Sequence, residues 1–209
     1  MADTLQELQQ LATQVRDCHK CPLGRLRVHA VPGEGPADAE IMFIGEGPGY
    51  HEDQQGRPFV GSSGQMLESL LTSIGLTRQQ VFIANVIKCR PPSNRDPLPD
   101  EIEACRPYLN RQIELINPLL IVTLGRFSMA RFFPPVARIT RVHGQPLRLE
   151  GRIVLPLYHP AAVLRNPEWH QDLRNDFATI STLVAEIRQQ RGAQQARTEP
   201  DDLQQLTLF

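Results

Sequence analysis

Four short, mostly apolar runs separated by amphipathic stretches constrain the fold of this 209-residue chain more than any other feature. We predict these runs to be strands, at Ile41–Ile44, Val81–Ile87, Leu119–Leu124 and Ile153–Leu157. The helical spacing of apolar residues between and around them predicts helices over 4–17, Gly64–Ile74, Pro99–Ile116, Phe127–Phe132 and Asp172–Arg188. Short buried strands that alternate with helices indicate a parallel α/β sheet covered on both faces, with ligands at the carboxyl ends of its strands.

The composition divides the chain into one folded domain and a tail. Residues 1–188 carry the strand and helix patterns, whereas the following segment QQRGAQQARTEPDDLQQ has too few apolar residues to build a core. We therefore expect a domain over 1–188 and a disordered tail over 189–209. No apolar segment approaches the roughly 20 residues of a membrane span, and the N-terminus has no signal-peptide core. We expect a cytoplasmic monomer that does not contact membranes.

Positive charge is concentrated in one part of a nearly neutral chain. The formal net charge is -1, but the segment from Thr123 to Arg165 contains seven arginines and one acidic residue, Glu150. A local basic face on a neutral protein suits a polyanion such as a nucleic acid. A solvated surface with no partner explains the same pattern, so charge alone leaves both interpretations open.

The first strand is followed by a glycine-rich turn, GEGPG, at Gly45–Gly49. A dinucleotide fingerprint requires a further glycine at position 50, which is Tyr50 here, and Pro48 removes a backbone N–H from the loop. A nucleotide-dependent enzyme is therefore the weakest of the functional hypotheses. A structural turn and a turn that a ligand approaches closely both remain open.

The chain has four cysteines, two in the motif CHKC and two much later, separated by fifteen residues. Disulfides are rare in intracellular proteins, so a metal site is the main alternative to four unrelated core cysteines. Zinc ribbons usually have two CxxC knuckles, and this chain has one. Four thiolates also suit a [4Fe–4S] cluster, and spacing alone does not decide between zinc and iron–sulfur.

Five separated motifs occur in an order that resembles the iron–sulfur, family-four uracil-DNA glycosylases: CHKCPLG, GEGPGYHEDQQGRPFVG, NVIKCRPPSNRDP, EACRPYL and YHPAAVL. The resemblance implies a three-layer α/β/α sandwich around a central, mostly parallel four-stranded sheet. It implies an enzyme that flips uracil out of DNA and hydrolyses its N-glycosidic bond, leaving an abasic site. It also implies a [4Fe–4S] cluster held by Cys18, Cys21, Cys89 and Cys105. The alternative is a non-catalytic, metal-containing module that binds nucleic acid.

The resemblance also implies which residues would bind uracil: Glu46, Gly47, Pro48, Phe59, Asn85 and His159. The turn glycines let the flipped nucleotide approach the backbone, and Phe59 can stack on the base. The Asn85 amide can accept from uracil N3–H and donate to O4, a pattern that cytosine does not match. A ring N–H of His159 can donate to O2 as negative charge develops on the leaving base.

The catalytic set is predicted to be His159 with one of two carboxylates. The related family-one enzymes position the attacking water with an aspartate where this chain has Gly47, and exclude thymine with a tyrosine where it has Gly49. Another group must therefore do each task here. Glu46 and Glu52 are the local candidates, and a solvated turn charge is the competing explanation for Glu52.

Contacts to DNA are predicted at two further places. Ser62 and Ser63 begin a helix whose free N–H groups suit a phosphate. After YHPAA, Val163 and Leu164 are predicted to wedge into the gap left by the flipped base, and Arg165 to contact the flanking backbone.

The sequence QLTLF, with Gln205, Leu206, Leu208 and Phe209, resembles the short peptide by which bacterial repair proteins dock on the β sliding clamp. Large apolar residues in a polar segment are costly to expose unless a partner buries them. We therefore expect a clamp partner and a nucleoid-associated bacterial protein. A chance match and docking on the protein's own body are the alternatives.

Overall fold

The computed structural model describes residues 2–149 and 151–198. Its centre is a sheet of five strands in the order β2-β1-β3-β5-β4. Strands β1, β2, β3 and β5 are parallel, and β4 is antiparallel to β5. The strands span β1 Ile41–Gly45, β2 Phe82–Asn85, β3 Leu120–Leu124, β4 Leu147–Leu149 and β5 Arg152–Leu157.

Helices of very different length surround the sheet. One of the long ones, Pro99–Ile116, begins and ends where the sequence predicts, with Pro99 in its first turn, where a missing N–H costs nothing. The helices span α1 Ala2–Arg16, α2 Leu23–Leu26, α3 Tyr50–Gln55, α4 Ser62–Ser73, α5 Pro99–Ile116, α6 Arg126–Met129, α7 Ile139–Val142, α8 Pro160–Arg165, α9 His170–Ala178 and α10 Ile180–Thr198. Single 3-10 turns cover Arg78–Gln80, Pro92–Asn94 and Pro167–Trp169.

The two faces of the sheet bury separate hydrophobic clusters, as the three-layer prediction requires. Successive residues of a strand point to opposite faces, and in β1 Phe43 packs in one cluster while Met42 and Ile44 pack in the other. Helices α4, α9 and α10 supply the first cluster, and α5 supplies the second. Helix α1 then packs on the outer side of α5 through Leu11 and Val15. The α/β sandwich is therefore confirmed.

The predicted number of strands was too low by one. The segment Leu147–Leu149 forms an additional edge strand, antiparallel to β5. It has three residues, none of them fully buried, so it leaves no apolar run in the sequence. Edge strands of this kind are specified by their neighbour and by the turn that precedes them, which a strand pattern does not report.

The last helix differs from the prediction at both ends. The segment predicted as one helix over Asp172–Arg188 forms α9 and α10, and α10 continues to Thr198, ten residues into the predicted tail. The added residues are mostly Gln, Arg and Ala, which are strong helix formers. The predicted domain boundary remains a prediction, and the QLTLF motif lies outside the described residues. Within those residues, none of the helices is both long and apolar enough to span a membrane.

The strand register brings the predicted motifs to one edge of the sheet. Gly45 at the end of β1 pairs with Asn85 at the end of β2, and Leu124 at the end of β3 pairs with Leu157 at the end of β5. Each of these strands is parallel to its neighbour, so the turns that follow them converge. The glycine turn, Asn85 and the segment around His159 therefore surround one site.

Candidate active site

A cavity of about 650 Å³ opens at the carboxyl ends of β1, β2, β3 and β5. Its wall includes the glycine turn after β1, the loop before α4, the end of β2 with the loop that follows it, the start of α6 and the turn between β5 and α8. A volume of this size accommodates a nucleobase with its sugar, in the range of small-molecule sites. The residues that the resemblance points to therefore face a common space.

Asn85 has a buried hydrogen-bond acceptor with no partner. The residue is 1% exposed, and its Oδ1 atom accepts no hydrogen bond from any described residue. The backbone at Gly45 is so close that an added Cβ would lie 2.5 Å from this oxygen. An unpaired buried acceptor costs about 1–3 kcal/mol, which a ligand that supplies an N–H would recover. The geometry thus prepares Asn85 to bind a donor inside the cavity.

Phe59 forms one wall of the cavity in an unusual backbone conformation. Its φ is 51°, in the left-handed region that non-glycine residues rarely adopt, and the side chain is 5% exposed. The ring lies 5.7 Å from the imidazole of His159 with 27° between the planes. Strained conformations of this kind persist where surrounding contacts enforce them, and they cluster at ligand sites.

His159 caps the N-terminus of α8 and is held in one tautomer. The Ala161 N–H donates to its Nδ1 atom at 3.0 Å, so a neutral ring carries its proton on Nε2. Burial, together with the nearby charge of Arg165, lowers the pKa of His159 to about 4. The ring is therefore neutral at physiological pH, and Nε2–H is a donor that needs no protonation step.

Glu52 is a structural anchor between two of the loops. Its Oε1 accepts from the N–H groups of Val60 and Gly61, both at 2.8 Å, and its Oε2 accepts from the N–H of Gly49 at 3.1 Å. The residue is 8% exposed. A carboxylate that accepts three backbone N–H groups is already satisfied and holds the glycine turn against the Phe59 loop.

Glu46 is the carboxyl group of the cavity wall that remains free for chemistry. Burial first, and then the nearby charge of Asp96, raises the pKa of Glu46, and no side-chain hydrogen bond contributes to the shift. Arg126 and Arg165 oppose the shift. A carboxylate with a raised pKa, which none of the described side chains binds, is a candidate proton acceptor.

The four cysteines come together from three segments of the chain. Cys89 and Cys105 are buried, Cys18 and Cys21 are partly buried, and all four are free thiols. They are electrostatic neighbours, because the pKa of Cys89, raised mainly by burial, is raised further by Cys21 and Cys18. Burial raises the pKa of Cys105 to about 11. Four neighbouring thiols, two buried and two partly buried, suit a metal-containing group, because bound metal stabilises the thiolate form.

The four thiols are neighbours, and two of their sulfurs accept hydrogen bonds. Among residues 2–149 and 151–198, no three Cys, His or acidic side chains converge as closely as one metal ion needs. Arg27 donates to the Cys89 sulfur at 3.0 Å, and the Lys88 N–H donates to the Cys105 sulfur at 3.4 Å. Hydrogen bonds to sulfur of this kind accompany iron–sulfur clusters and tune them.

Lys88 connects the cysteine region to the cavity. Its side chain is 1% exposed, and its Nζ donates to the backbone carbonyl of Asn85 at 2.9 Å and to the Gln112 side chain at 2.7 Å. Gln112 lies on α5, the helix that carries Cys105. A buried amino group with two acceptors fixes the end of β2 on α5, and so fixes the backbone of Asn85.

Comparison with known proteins agrees with this arrangement. The model of the uracil DNA glycosylase superfamily matches residues 32–180. The chain belongs to the uracil-DNA glycosylase superfamily. The match spans the sheet, the glycine turn, Asn85 and His159, and it ends at the beginning of α10.

Individual relatives are similar over most of their length. The chain is 49% identical to the type-4 uracil-DNA glycosylase of Sulfurisphaera tokodaii, over 86% of this chain and 86% of that protein. It is 49% identical to the type-4 enzyme of Saccharolobus solfataricus, over 87% and 88%, and 46% identical to that of Thermotoga maritima, over 78% and 86%. These identities place the chain among the type-4 glycosylases.

The structure brings most of the predicted site residues of this glycosylase together and leaves two aside. The residues that line the cavity include Glu46, Gly47, Pro48, Glu52, Phe59, Ser62, Ser63, Asn85, His159 and Arg165. Val163 and Leu164 are not among the lining residues. Val163 is 1% exposed and packs in the hydrophobic core, a position that does not favour its predicted contact with DNA. Leu164, at 48% exposed, is free to contact DNA.

Sequence reasoning missed several residues of the glycosylase cavity. Tyr158 and Trp169 stack with 4.7 Å between ring centroids, and both line the wall beside His159. Asp96 forms an ion pair with Arg126 at the rim. The position of Tyr158 beside the HPAA motif and the presence of a single tryptophan were usable signals. Nothing in the sequence indicated the ion pair, because its partners are thirty residues apart.

Proposed function

We propose that this protein is a DNA-repair glycosylase that flips uracil out of DNA, holds it in the cavity and hydrolyses its N-glycosidic bond. The observation that carries the proposal is the buried, unpaired Oδ1 of Asn85 in a cavity of about 650 Å³. Uracil N3–H supplies the missing donor, and the Asn85 amide N–H then donates to O4. Cytosine has an acceptor at N3 and a donor at N4, so it leaves both groups unpaired.

His159 would stabilise the departing base. As the glycosidic bond breaks, negative charge develops on uracil, including O2. The neutral His159 ring offers Nε2–H, because its Nδ1 is occupied by the Ala161 N–H. A donor that is already oriented loses no free energy to reorganisation when the charge appears, which makes it a large catalytic contribution. Phe59 would stack on the base while this occurs.

The attacking water is assigned to Glu46. The oxygens of Glu52 accept three backbone N–H groups, so we propose a positioning role for Glu52 in place of a catalytic or methyl-blocking one. Glu46 has a free carboxylate at the glycine turn and a raised pKa. It is the group that can orient a water and take its proton as the bond to the sugar forms.

DNA would cross the rim of the cavity between the start of α4 and the end of α8. Ser62 and Ser63 begin α4, a helix of twelve residues whose first N–H groups suit a phosphate. Leu164 and Arg165 are both exposed at the end of α8. We propose that Leu164 enters the gap left by the flipped base and that Arg165 contacts the flanking phosphate.

One assay tests this function against the non-catalytic alternative. A labelled oligonucleotide with a single uracil is incubated with stoichiometric protein and then treated with alkali, which cleaves abasic sites. We expect strand cleavage at the uracil and none in a matched oligonucleotide that has cytosine in its place. If the uracil strand remained uncleaved, the glycosylase function would be rejected and the non-catalytic binding module would be the remaining hypothesis.

We propose that Cys18, Cys21, Cys89 and Cys105 hold a [4Fe–4S] cluster. The support is the juxtaposition of four partly or fully buried thiols, with hydrogen bonds from Arg27 and the Lys88 N–H to two of the sulfurs. The cluster would tie the segment before α2, the loop after β2 and helix α5 together. Its contribution here is structural, because the Asn85 backbone is fixed to the same helix through Lys88.

Metal analysis of anaerobically purified protein tests the cluster. We expect about four irons per chain, from the four-thiolate rule for such clusters. Cys89→Ser should lower the iron content and the unfolding temperature, because metal-binding free energy is part of the folding free energy. The control is Ser128→Ala, a buried side chain of α6 outside the cysteine region. One zinc and no iron would contradict the assignment.

We also propose that the QLTLF segment, at Gln205, Leu206, Leu208 and Phe209, binds a bacterial sliding clamp. The support is the spacing of its apolar residues in an otherwise polar segment. A short apolar anchor of this kind gives a contact of about micromolar affinity. Tethering to a clamp would raise the local concentration of the enzyme near newly replicated DNA.

Removal of Gln205–Phe209 separates clamp binding from catalysis. We expect the truncated protein to excise uracil from short oligonucleotides at the normal rate and to lose its calorimetric signal with the clamp. Leu203→Ala, which changes an apolar residue outside the motif, should keep that signal. No heat from the full-length protein at about 100 micromolar clamp, far above the expected dissociation constant, would refute the motif.

A further inference from the structure

Arg78 lies outside the cavity and yet contacts the backbone of the residue that stacks on the base. It begins the 3-10 turn Arg78–Gln80 before β2. Its Nη1 donates to the Phe59 carbonyl at 2.7 Å, and its Nη2 donates to the Pro58 carbonyl. The Arg78 side chain is only 8% exposed. A buried guanidinium with two carbonyls in its fork is a rigid support for the Phe59 loop.

Glu34 keeps this guanidinium in place. Arg78 Nε donates to Glu34 Oε1 at 2.5 Å, and Arg57 Nε donates to Glu34 Oε2 at 2.9 Å. The two arginines differ sharply in environment, because the Arg57 side chain is 56% exposed. Both arginines bind the Glu34 carboxylate, but Arg78 is the one that also binds the carbonyls of Pro58 and Phe59. Arg57 is therefore a matched control for Arg78.

Glu52 holds the same loop from its other end. The N–H groups of Val60 and Gly61 both donate to Glu52, while the carbonyls of Pro58 and Phe59 both accept from Arg78. A cation and an anion thus bind four backbone groups in succession around Phe59. Phe59 has a φ of 51°, which is unfavourable for an aromatic residue and needs such enforcement.

We propose that Arg78 is a positioning residue for uracil capture and acts through Phe59. It holds the backbone of Phe59 in the left-handed conformation that presents the ring to the cavity. This inference rests on the proposed function, since it assumes that Phe59 stacks on the extruded base. It assigns Arg78 no contact with substrate and no part in the chemical step.

A double-mutant cycle tests the inference. Single-turnover uracil excision is measured against protein concentration for the unaltered protein, Arg78→Gln, Phe59→Ala and the double variant. We expect Arg78→Gln to raise the half-saturating concentration by about tenfold, a coupling typical of residues in contact, and to leave the saturating rate nearly unchanged. In the Phe59→Ala background the same change should have an effect of less than about twofold. Circular dichroism confirms that each variant is folded.

Two further variants make the result specific. Arg57→Gln removes the exposed arginine on the same carboxylate and should leave the half-saturating concentration unchanged. Arg78→Lys keeps a positive charge beside Glu34 but cannot hold both carbonyls in one planar fork. It should therefore raise the half-saturating concentration as Arg78→Gln does, and this effect should also nearly disappear in the Phe59→Ala background. The Arg78→Lys variant also tests the positioning role if Arg78→Gln does not fold.

The outcomes separate this inference from the function on which it rests. The positioning role would be overturned if each Arg78 variant had the same effect in the Phe59→Ala background as in the unaltered protein. A loss of the same size in Arg57→Gln would also overturn the positioning role. The glycosylase function would then still stand. Absence of excision by the unaltered protein would instead overturn the proposed function, and the role of Arg78 with it.

Discussion

Replacing His159 with alanine should lower the single-turnover rate of uracil excision by about 10²- to 10³-fold, the scale for losing one oriented donor to developing charge. The reason is geometric. The Ala161 N–H holds Nδ1, so Nε2–H is the donor that remains for the base, and alanine has none. The half-saturating protein concentration should change much less than the rate, because the donor acts mainly in the transition state.

The control is His170→Ala, at the start of α9. This histidine is outside the cavity wall, and its removal should leave the excision rate unchanged. A His159→Ala rate within threefold of the unaltered protein would show that His159 does not act on the base.

The pKa of His159 makes a second part of this prediction. Burial lowers the pKa to about 4, so the ring should remain neutral in nuclear magnetic resonance spectra at about pH 5 and above. The unfolded chain binds a proton near the ordinary value of 6.5, and the folded chain does so near 4. This group therefore contributes stability that is fully present above pH 6.5 and is lost as the pH falls towards 4. An imidazolium signal at pH 6 would contradict the neutral-donor mechanism.

The parts of the site that sequence reasoning found share a physical origin. Gly45, Asn85 and His159 each follow or end a buried strand, and the carboxyl ends of parallel strands meet at one edge. Short apolar runs therefore predicted both the α/β sheet and the edge at which the candidate site residues meet. The edge strand β4 was not predictable in this way, because its side chains are exposed or half-buried.

The supporting residues were harder to predict because their roles depend on contacts between distant segments. Glu52 was a candidate catalyst on sequence grounds, and only the fold shows that its oxygens accept from Val60, Gly61 and Gly49. Arg78 drew no attention at all, since nothing in its local sequence indicates that it reaches the Phe59 carbonyl. Val163 was placed by its neighbours in YHPAAVL, and the turn of α8 directs it into the core.

The second large effect should be a loss of specificity in Asn85→Asp. A site built to hydrogen-bond one pattern of donors and acceptors rejects the wrong pattern by about 10⁴ to 10⁵. In the proposed function the discrimination depends on the Asn85 amide, which presents a fixed acceptor and a fixed donor. A carboxylic acid lacks that fixed order, because its proton can reside on either oxygen.

The expected result follows from the two protonation states of the introduced carboxyl group. In its ionised state this group offers only acceptors, so it repels uracil O4 and lowers uracil excision. In its protonated state it can donate to cytosine N3 and accept from cytosine N4–H, which Asn85 in its present orientation cannot do. Single-turnover excision from matched uracil and cytosine oligonucleotides should therefore show slower uracil removal and a ratio between the two bases reduced by at least about 100-fold.

The matched control is Thr123→Val, in the neighbouring strand β3. The Thr123 hydroxyl is the other side-chain oxygen found buried and without a partner among the described residues, and it lies outside the cavity wall. If Asn85→Asp acted by relieving a buried unpaired oxygen, Thr123→Val would alter excision as well. If it acts through the base, Thr123→Val should keep the full preference for uracil, and only the change at Asn85 should admit cytosine. Undiminished discrimination by Asn85→Asp would remove Asn85 from base recognition, since a carboxyl group cannot reproduce the directional pairing of the amide.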